Sequence, residues 1–169
     1  FPGEVRARHE SRLGFRLGGK IVERRVDVGA VVKRGQVLAR LDAQDVALQA
    51  AQAEANRALA EAEAKRYRDL RAKNFVSQAV LDAKETALKT AVAQAGVAKN
   101  QAAYAALVAD RDGVVTAVEA EAGQVVSAGQ TVVRVAGDSE KEIVIAVPES
   151  EVEKVRTAEG FTISLNSLP

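Results

Sequence analysis

Few side chains in this sequence are placed to do chemistry, and those that are point to recognition rather than reaction. The single histidine, His9, sits in an alternating run, GEVRARHE at 3–10, with no nucleophile or second ligand beside it. It reads as a surface or packing residue. Cys and Met are both absent, which removes disulfides, thiolate metal sites and a cysteine nucleophile. The carboxylates are spread over repeating helical surfaces, where solvation explains them, and no pair stands apart for acid–base work. Gly18, Gly19, Gly29, Gly35, Gly113, Gly123 and Gly129 punctuate short β-branched runs. They supply bends and positive-φ turns, not a phosphate cradle, since no P-loop or strand–Gly–helix fingerprint accompanies them. What remains is one stretch holding Arg66, Leu70, Phe75, Val76 and Ser77. Arg66 can donate to carbonyls or carboxylates of another helical hairpin. Leu70 can pack with Tyr67, Phe75 and Val76, and Ser77 can cap a helix. Singly, each has a structural explanation; together, at one end of a rod, they are expected to make a partner-docking tip.

The elements that must hold that tip are legible from a repeat. At a constant offset of 94, Gly19/Gly113, Gly29/Gly123, Val31/Val125, Val32/Val126, Gly35/Gly129, Gln36/Gln130 and Arg40/Arg134 coincide. Each copy is short and turn-punctuated, too small to bury its apolar face alone, so the two are expected to pack together. Between them the pattern changes to an Ala-rich helical one. From Asp42 to about Arg71 there is no Gly or Pro, and the residues are mostly strong helix formers. Asp42 is the expected N-cap, with Asp45 favourable to the helix dipole. Leu48, Ala55 and Ala62, with Ala51 and Ala58 between, give an expected seam. A second run from about Gln78 to Val108 carries Leu81, Leu88, Ala95 and Ala102, interleaved with Ala91, Ala98 and Ala105. This 3.5-residue spacing predicts a two-stranded antiparallel coiled coil, decorated by Glu61–Lys65 and Glu85–Lys89 pairs at i,i+4. The short link at 72–76 forces a hairpin, Ser77 caps the return helix, and about 30 residues per arm give a rod about 45 Å long. Both feet of the rod then rest on the paired repeats.

Composition agrees with an elongated molecule of thin cores: 47% of the 169 residues are apolar but only 4% aromatic. Net charge is +1, yet residues 1–42 carry +5 and residues 138–169 carry −4, so the two ends are candidates to lie together and screen each other. No basic block with interleaved aromatics supports nucleic-acid binding. No run approaches the roughly 18 apolar residues of a membrane span, and no signal peptide is visible. The chain opens at Phe1 and stops at Pro169 just after a strand-like run, so it reads as part of a longer protein. Lys141–Val147 alternates as a strand, Pro148 opens a short acidic-first helix to Arg156, and a further strand is expected at Phe161–Leu165.

With these residues in view, the layout resembles the membrane fusion proteins, or periplasmic adaptor subunits, of tripartite efflux pumps. Gly19-Lys20-Ile21-Val22 through Val37-Leu38-Ala39-Arg40-Leu41-Asp42 is similar to the family's first half-motif. Asp112-Gly113-Val114-Val115, Gly123-Gln124-Val125-Val126 and Gly129-Gln130 are similar to its second. Arg66, Leu70 and Ser77 fall at the RxxxLxxxxxxS spacing with which that family meets a TolC-like outer-membrane channel, and Val147-Pro148-Glu149-Ser150 resembles its barrel strand entering a single helix. A departure is Ala109-Asp110-Arg111, where the family commonly has Ala-Pro before Asp-Gly; it implies a softer stop to the return helix.

The resemblance implies an elongated α+β fold. A helical hairpin at 42–110, with its tip at about 72–77, is inserted in a split lipoyl-like β domain (13–41 and 111–137). A partial β-barrel domain with one short helix comes from 1–12 and 138–169. It also implies a non-enzymatic, cofactor-free subunit in the periplasm, attached to the inner membrane by an anchor outside this segment. That subunit bridges an RND transporter to the TolC-like channel and self-associates as six copies. An adaptor for an ABC exporter is the alternative. A lipoate or biotin carrier is disfavoured because Asp42-Ala43-Gln44-Asp45 replaces the Lys-bearing turn such domains present.

Overall fold

Glycine-cut β-branched runs become short strands, and the Ala-rich runs between them become two long helices. The computed structural model describes residues 2–137, 141–158, 160 and 162. In chain order the strands before the helices are β1 (Gly3–Ala7), β2 (Glu10–Gly14), β3 (Gly19–Arg24), β4 (Val31–Val32) and β5 (Val37–Leu41). Helices α1 (Gln44–Ala72) and α2 (Gln78–Ala103) follow. Then come β6 (Ala106–Val108), β7 (Gly113–Val118), β8 (Val125–Val126), β9 (Thr131–Gly137) and β10 (Lys141–Ile145). A 3₁₀ turn at Glu149–Glu151 leads into α3 (Val152–Arg156).

The two repeats do not form one sheet each; they interleave. One sheet has the order β2-β9-β7-β4 and the other β6-β5-β3-β8, so each draws strands from both sides of the hairpin. The pairing repeats itself at the sequence offset. Gly19 pairs with Val126 in one sheet as Gly113 pairs with Val32 in the other, and the ladder shifts register at Ile21/Glu23 and again at Val115/Ala117. Backbone hydrogen bonds are reciprocal: Gly29 N–H donates to Val115 O at 2.8 Å and Gly123 N–H to Ile21 O at 2.7 Å. Gly35 N–H reaches Ala109 O, and Gly129 N–H reaches Phe15 O, both at 2.8 Å. Each half therefore closes the other's turns.

The core follows the same rule. Phe15, Ile21, Val26, Val32, Leu38, Ala39 and Leu41 are buried, and so are their counterparts Ala109, Val115, Ala120, Val126, Val132, Val133 and Val135. At most of these pairs the larger side chain is in the first half (Phe15 with Ala109, Leu38 with Val132), so the first half supplies the greater share of the core's bulk. Ala43 and Val46 pack partly against this core and set the foot of α1 upon it.

Several local expectations are corrected. The N-cap of α1 is Ala43, without a side-chain bond; Asp42 lies one residue earlier and accepts from Gln44 N–H at 3.2 Å. Helix α2 stops at Ala103, well short of Val108, because Ala105, Leu107 and Ala109 alternate into the β core and β6 pairs with β5. Ala105 thus belongs to that core, not to the helical seam. The predicted seam of α2 otherwise faces α1, with Leu81, Ala91 and Ala95 buried and Leu88, Ala98 and Ala102 half-buried. The predicted seam of α1 does not face α2: Leu48, Ala51, Ala55, Ala58 and Ala62 are exposed, Leu48 by 70%. The facing stripe is Val46, Ala50, Ala53, Arg57, Ala60, Ala64 and Tyr67. An alanine-rich helix offers several stripes of the same period, and the one chosen ends on Val46 at the core and Tyr67 near the tip.

Neither expected i,i+4 pair forms. Arg57 takes Glu61 together with Glu54, and Arg68 takes Glu85 across the hairpin.

At the other end of the molecule, β1 and β10 form a two-stranded antiparallel ribbon in which Gly3 faces Ile145 and Ala7 faces Lys141. The run at 3–10 is split at Arg8 and His9, and β2 joins the sheet with β9. The strand expected at Phe161–Leu165 lies, apart from Thr162, outside the described residues. No helix among the described residues is long and apolar enough to cross a membrane.

Candidate functional site

The far end of the hairpin is built by one capping motif at each helix. Helix α1 ends at Ala72, and Asn74 follows with φ +59, the one non-glycine residue of positive φ among the described residues. Asn tolerates this left-handed conformation better than most side chains. Phe75 N–H donates to Leu70 O at 3.0 Å, and Asn74 N–H to Arg71 O at 2.9 Å. These are the 6→1 and 5→2 bonds of a Schellman stop, which characteristically brings the residue after the left-handed one against the last turn of the helix. Here those two residues are Phe75 and Leu70. Ser77, in extended conformation, is the N-cap of α2, its Oγ accepting from Val80 N–H at 3.4 Å.

Side chains tie the two caps together. Arg71 Nη1 donates to Asn74 Oδ1 at 3.0 Å and Arg71 Nε to Gln78 Oε1 at 3.2 Å; Gln78 Nε2 continues to Asp82 Oδ1 at 2.8 Å. The loop therefore has a defined shape, from which Phe75 projects 72% exposed. Leu70 and Val76 are half-buried, while Arg66 is exposed one turn before Leu70 on the same flank. Of the residues singled out from sequence, Leu70, Phe75, Val76 and Ser77 thus meet in one loop, and Arg66 lies beside it. Arg71, Asn74 and Gln78 were not singled out. Asn74 had a readable signal, as the residue at the tip most tolerant of a left-handed backbone, whereas the partners of Arg71 depend on where the second helix returns.

Below the tip the arms are clamped by charge. Lys84 Nζ meets Glu63 Oε2 at 2.8 Å and lies 5.1 Å from the Tyr67 ring centroid. The Lys84 hydrogen bond and charge hold the Glu63 carboxyl below its ordinary value, and Glu63 in turn raises Lys84. Arg68 Nε meets Glu85 Oε1 at 2.8 Å.

At the foot, Ser11 Oγ donates to Asp110 Oδ2 at 2.8 Å and Arg111 Nε reaches the same oxygen at 3.2 Å. Desolvation alone would raise Asp110, but the bonds from Ser11 and Arg111 and the Arg111 charge together hold it below its ordinary value. Arg34 N–H donates to Asp112 Oδ1 at 2.7 Å, joining the first repeat to the start of the second.

Of the structural glycines, Gly29, Gly35, Gly123 and Gly129 have φ of +87, +82, +93 and +80°. Gly19 and Gly113 instead open strands β3 and β7. A Cβ on Gly113 would stand 2.1 Å from Ala136 O, whereas one on Gly19 would make ordinary contact with Leu41. No group of three or more His, Cys, Asp or Glu able to hold a metal occurs among the described residues. The arrangement leaves an exposed aromatic on a hydrogen-bonded loop at the end of a braced rod.

Residues 10–136 match the barrel-sandwich hybrid domain of RND membrane fusion proteins. A solved chimera of MacA and MexA, containing the Pseudomonas aeruginosa MexA α-hairpin domain, superposes with a TM-score of 0.82 at 27% identity, over 89% of this chain and 55% of that one. A candidate efflux transporter from Bacteroides eggerthii superposes with a TM-score of 0.75 at 27% identity, over 93% of this chain and 48% of that one. An uncharacterised protein of Haemophilus influenzae is 29% identical over 167 residues, which are 98% of this chain and 43% of that protein. The chain thus spans about half the length of these three proteins.

Proposed function

The chain belongs to the RND membrane fusion protein family, and from that membership we propose that it is the periplasmic adaptor part of a tripartite efflux pump. In this reading the hairpin tip engages a TolC-like outer-membrane channel through Arg66, Leu70, Phe75, Val76 and Ser77. The interleaved sheets act as the lipoyl-like domain, expected at 13–41 and 111–137 and extended by β2 back to Glu10 and by β6 back to Ala106, and pack side by side into a ring of six. The ribbon and short helix, from 1–12 and 138–169, start a β-barrel near an inner-membrane RND transporter. The protein stays in the periplasm, held to the inner membrane by an anchor outside this segment. It is no enzyme: the transporter supplies the energy, and the adaptor supplies a sealed, oriented path.

The observation that carries this reading is the exposed Phe75 on a hydrogen-bonded loop, at the end of a hairpin whose two feet share one core. α1 has 29 residues, a rod of about 43 Å, which suits an RND partner better than the longer hairpins of some ABC-linked adaptors. Photo-crosslinking from position 75 or 66 in cells tests it. Adducts to an outer-membrane channel are expected; adducts confined to soluble proteins would sink the reading. Co-purification of the full-length protein with an ABC rather than an RND transporter would move it to the other class of pump.

A further inference from the structure

The tip is unlike the rest of the rod in charge as well as shape. Between Lys65 and Gln78 five cationic side chains (Lys65, Arg66, Arg68, Arg71 and Lys73) accompany one carboxylate, Asp69. Arg68 is neutralised by Glu85, and Arg71 is held by the neutral side chains of Asn74 and Gln78. Lys65, Arg66 and Lys73 are exposed and form no salt bridge among the described residues, although the Arg66 charge is felt by Glu63.

Resting on the docking reading above, we propose that the tip is an apolar plug in a cationic collar, fitted to a partner socket with an apolar centre and an anionic rim. Phe75 is the plug. Lys65, Arg66 and Lys73 are the collar, carried on the last turns of α1 and its cap. Arg71 is the positioning residue that fixes the loop displaying Phe75.

Three physical points lead to this. Phe75 is the one exposed aromatic among the described residues: Phe15 is in the core, and Tyr67 and Tyr104 are half-buried. Buried aromatic anchors of this kind dominate interface energetics when a pocket takes them up. The Schellman bonds and the Arg71 bridge already order the loop, so little side-chain and backbone freedom remains to be lost on docking. Finally, three exposed cations outside any salt bridge, on the last turns of α1 and its cap, oppose a basic partner and favour one whose rim carries carboxylates or the carbonyl ends of helices, whose dipoles are negative there.

The test uses the full-length protein in its own cells, with a photo-crosslinking residue in place of exposed Asp69. The yield of outer-membrane adduct is the readout, and the thermal unfolding midpoint of each purified variant is followed in parallel. Phe75→Ala is expected to cut the yield about tenfold with the midpoint unchanged, while Phe75→Leu stays within about threefold. Reversing the collar with Arg66→Glu and Lys73→Glu together is expected to cut it about tenfold and to remove its dependence on salt. Arg71→Ala should lower the yield without moving the midpoint, and Arg71→Lys should recover part of it. An adduct that forms but ignores both Phe75 and the collar charges overturns the proposal and leaves the docking reading standing. Crosslinks to anionic lipid instead of protein overturn it too. Absence of any outer-membrane adduct from the parent protein defeats the docking reading and the proposal together.

Discussion

The two ends of the hairpin solve opposite problems. At the foot, Ala43 and Val46 of α1 pack on a core of interleaved strands, and Ala105, just beyond α2, is part of that core. At the tip there is no core at all: two caps, one positive-φ asparagine and a few side-chain hydrogen bonds define the shape, and the largest apolar group points outward. The buried core is concentrated where the chain is duplicated, and the proposed recognition surface lies where it is unique. Substitutions at the foot should therefore change folding, and substitutions at the tip should change binding.

The largest contrast is expected from Leu38→Ala. Leu38 is fully buried, and truncation should cost about 2–5 kcal/mol in a denaturant titration, whereas an equal loss from a tip variant would erase the distinction. Next comes Gly113→Ala, whose Cβ would overlap Ala136 O. The strands must move apart, and a cost of about 1–3 kcal/mol is expected. Gly29→Ala and Gly123→Ala sharpen the comparison within the foot itself. Both sites have φ near +90° and open space around them, so each should cost about 1–2 kcal/mol, and unequal losses would show that the halves are not energetically equivalent. At the tip, Ser77→Ala removes one helix cap, worth about 0.5–2 kcal/mol. Its long 3.4 Å bond points to the lower end of that range.

The smallest effect is one of pH. Asp110, at the foot, and Glu63, on the trunk, both have folded-state pKa values held below the ordinary range. Their contribution is present above the unfolded carboxylate values and is lost as pH falls through the folded ones. Melting temperature should accordingly decline below about pH 4. Asp110→Asn should flatten that decline, since its bonds from Ser11 and Arg111 no longer depend on ionisation; an unchanged slope would assign the decline to other groups.

Much of the foot was legible because it is written twice. Matching glycines and valines at one offset give the pairing of the halves, and the buried pairs Ile21/Val115 and Val32/Val126 obey the same offset. Boundaries were harder. Val108 reads as helical by composition, but alternating burial at Ala105, Leu107 and Ala109 makes that segment a strand. The face of α1 was not legible either, since alanines recur on several stripes of equal period and only the partner helix selects among them. At the tip, Phe75 and Ser77 could be singled out from residue type, while the bridge from Arg71 to Asn74 and Gln78 closes only once both helices are in place.

The reciprocal bonding of the halves also fixes an order of events. Ile21 N–H donates to Gln124 O, and its own carbonyl accepts from Gly123, so strand β3 can pair with nearby β5 at once but must wait for more than a hundred further residues to meet β8. Such long-separation contacts are slow to form. The helices, whose hydrogen bonds are local, need not wait for them. The hairpin is therefore expected to form before the two halves of its foot close on each other.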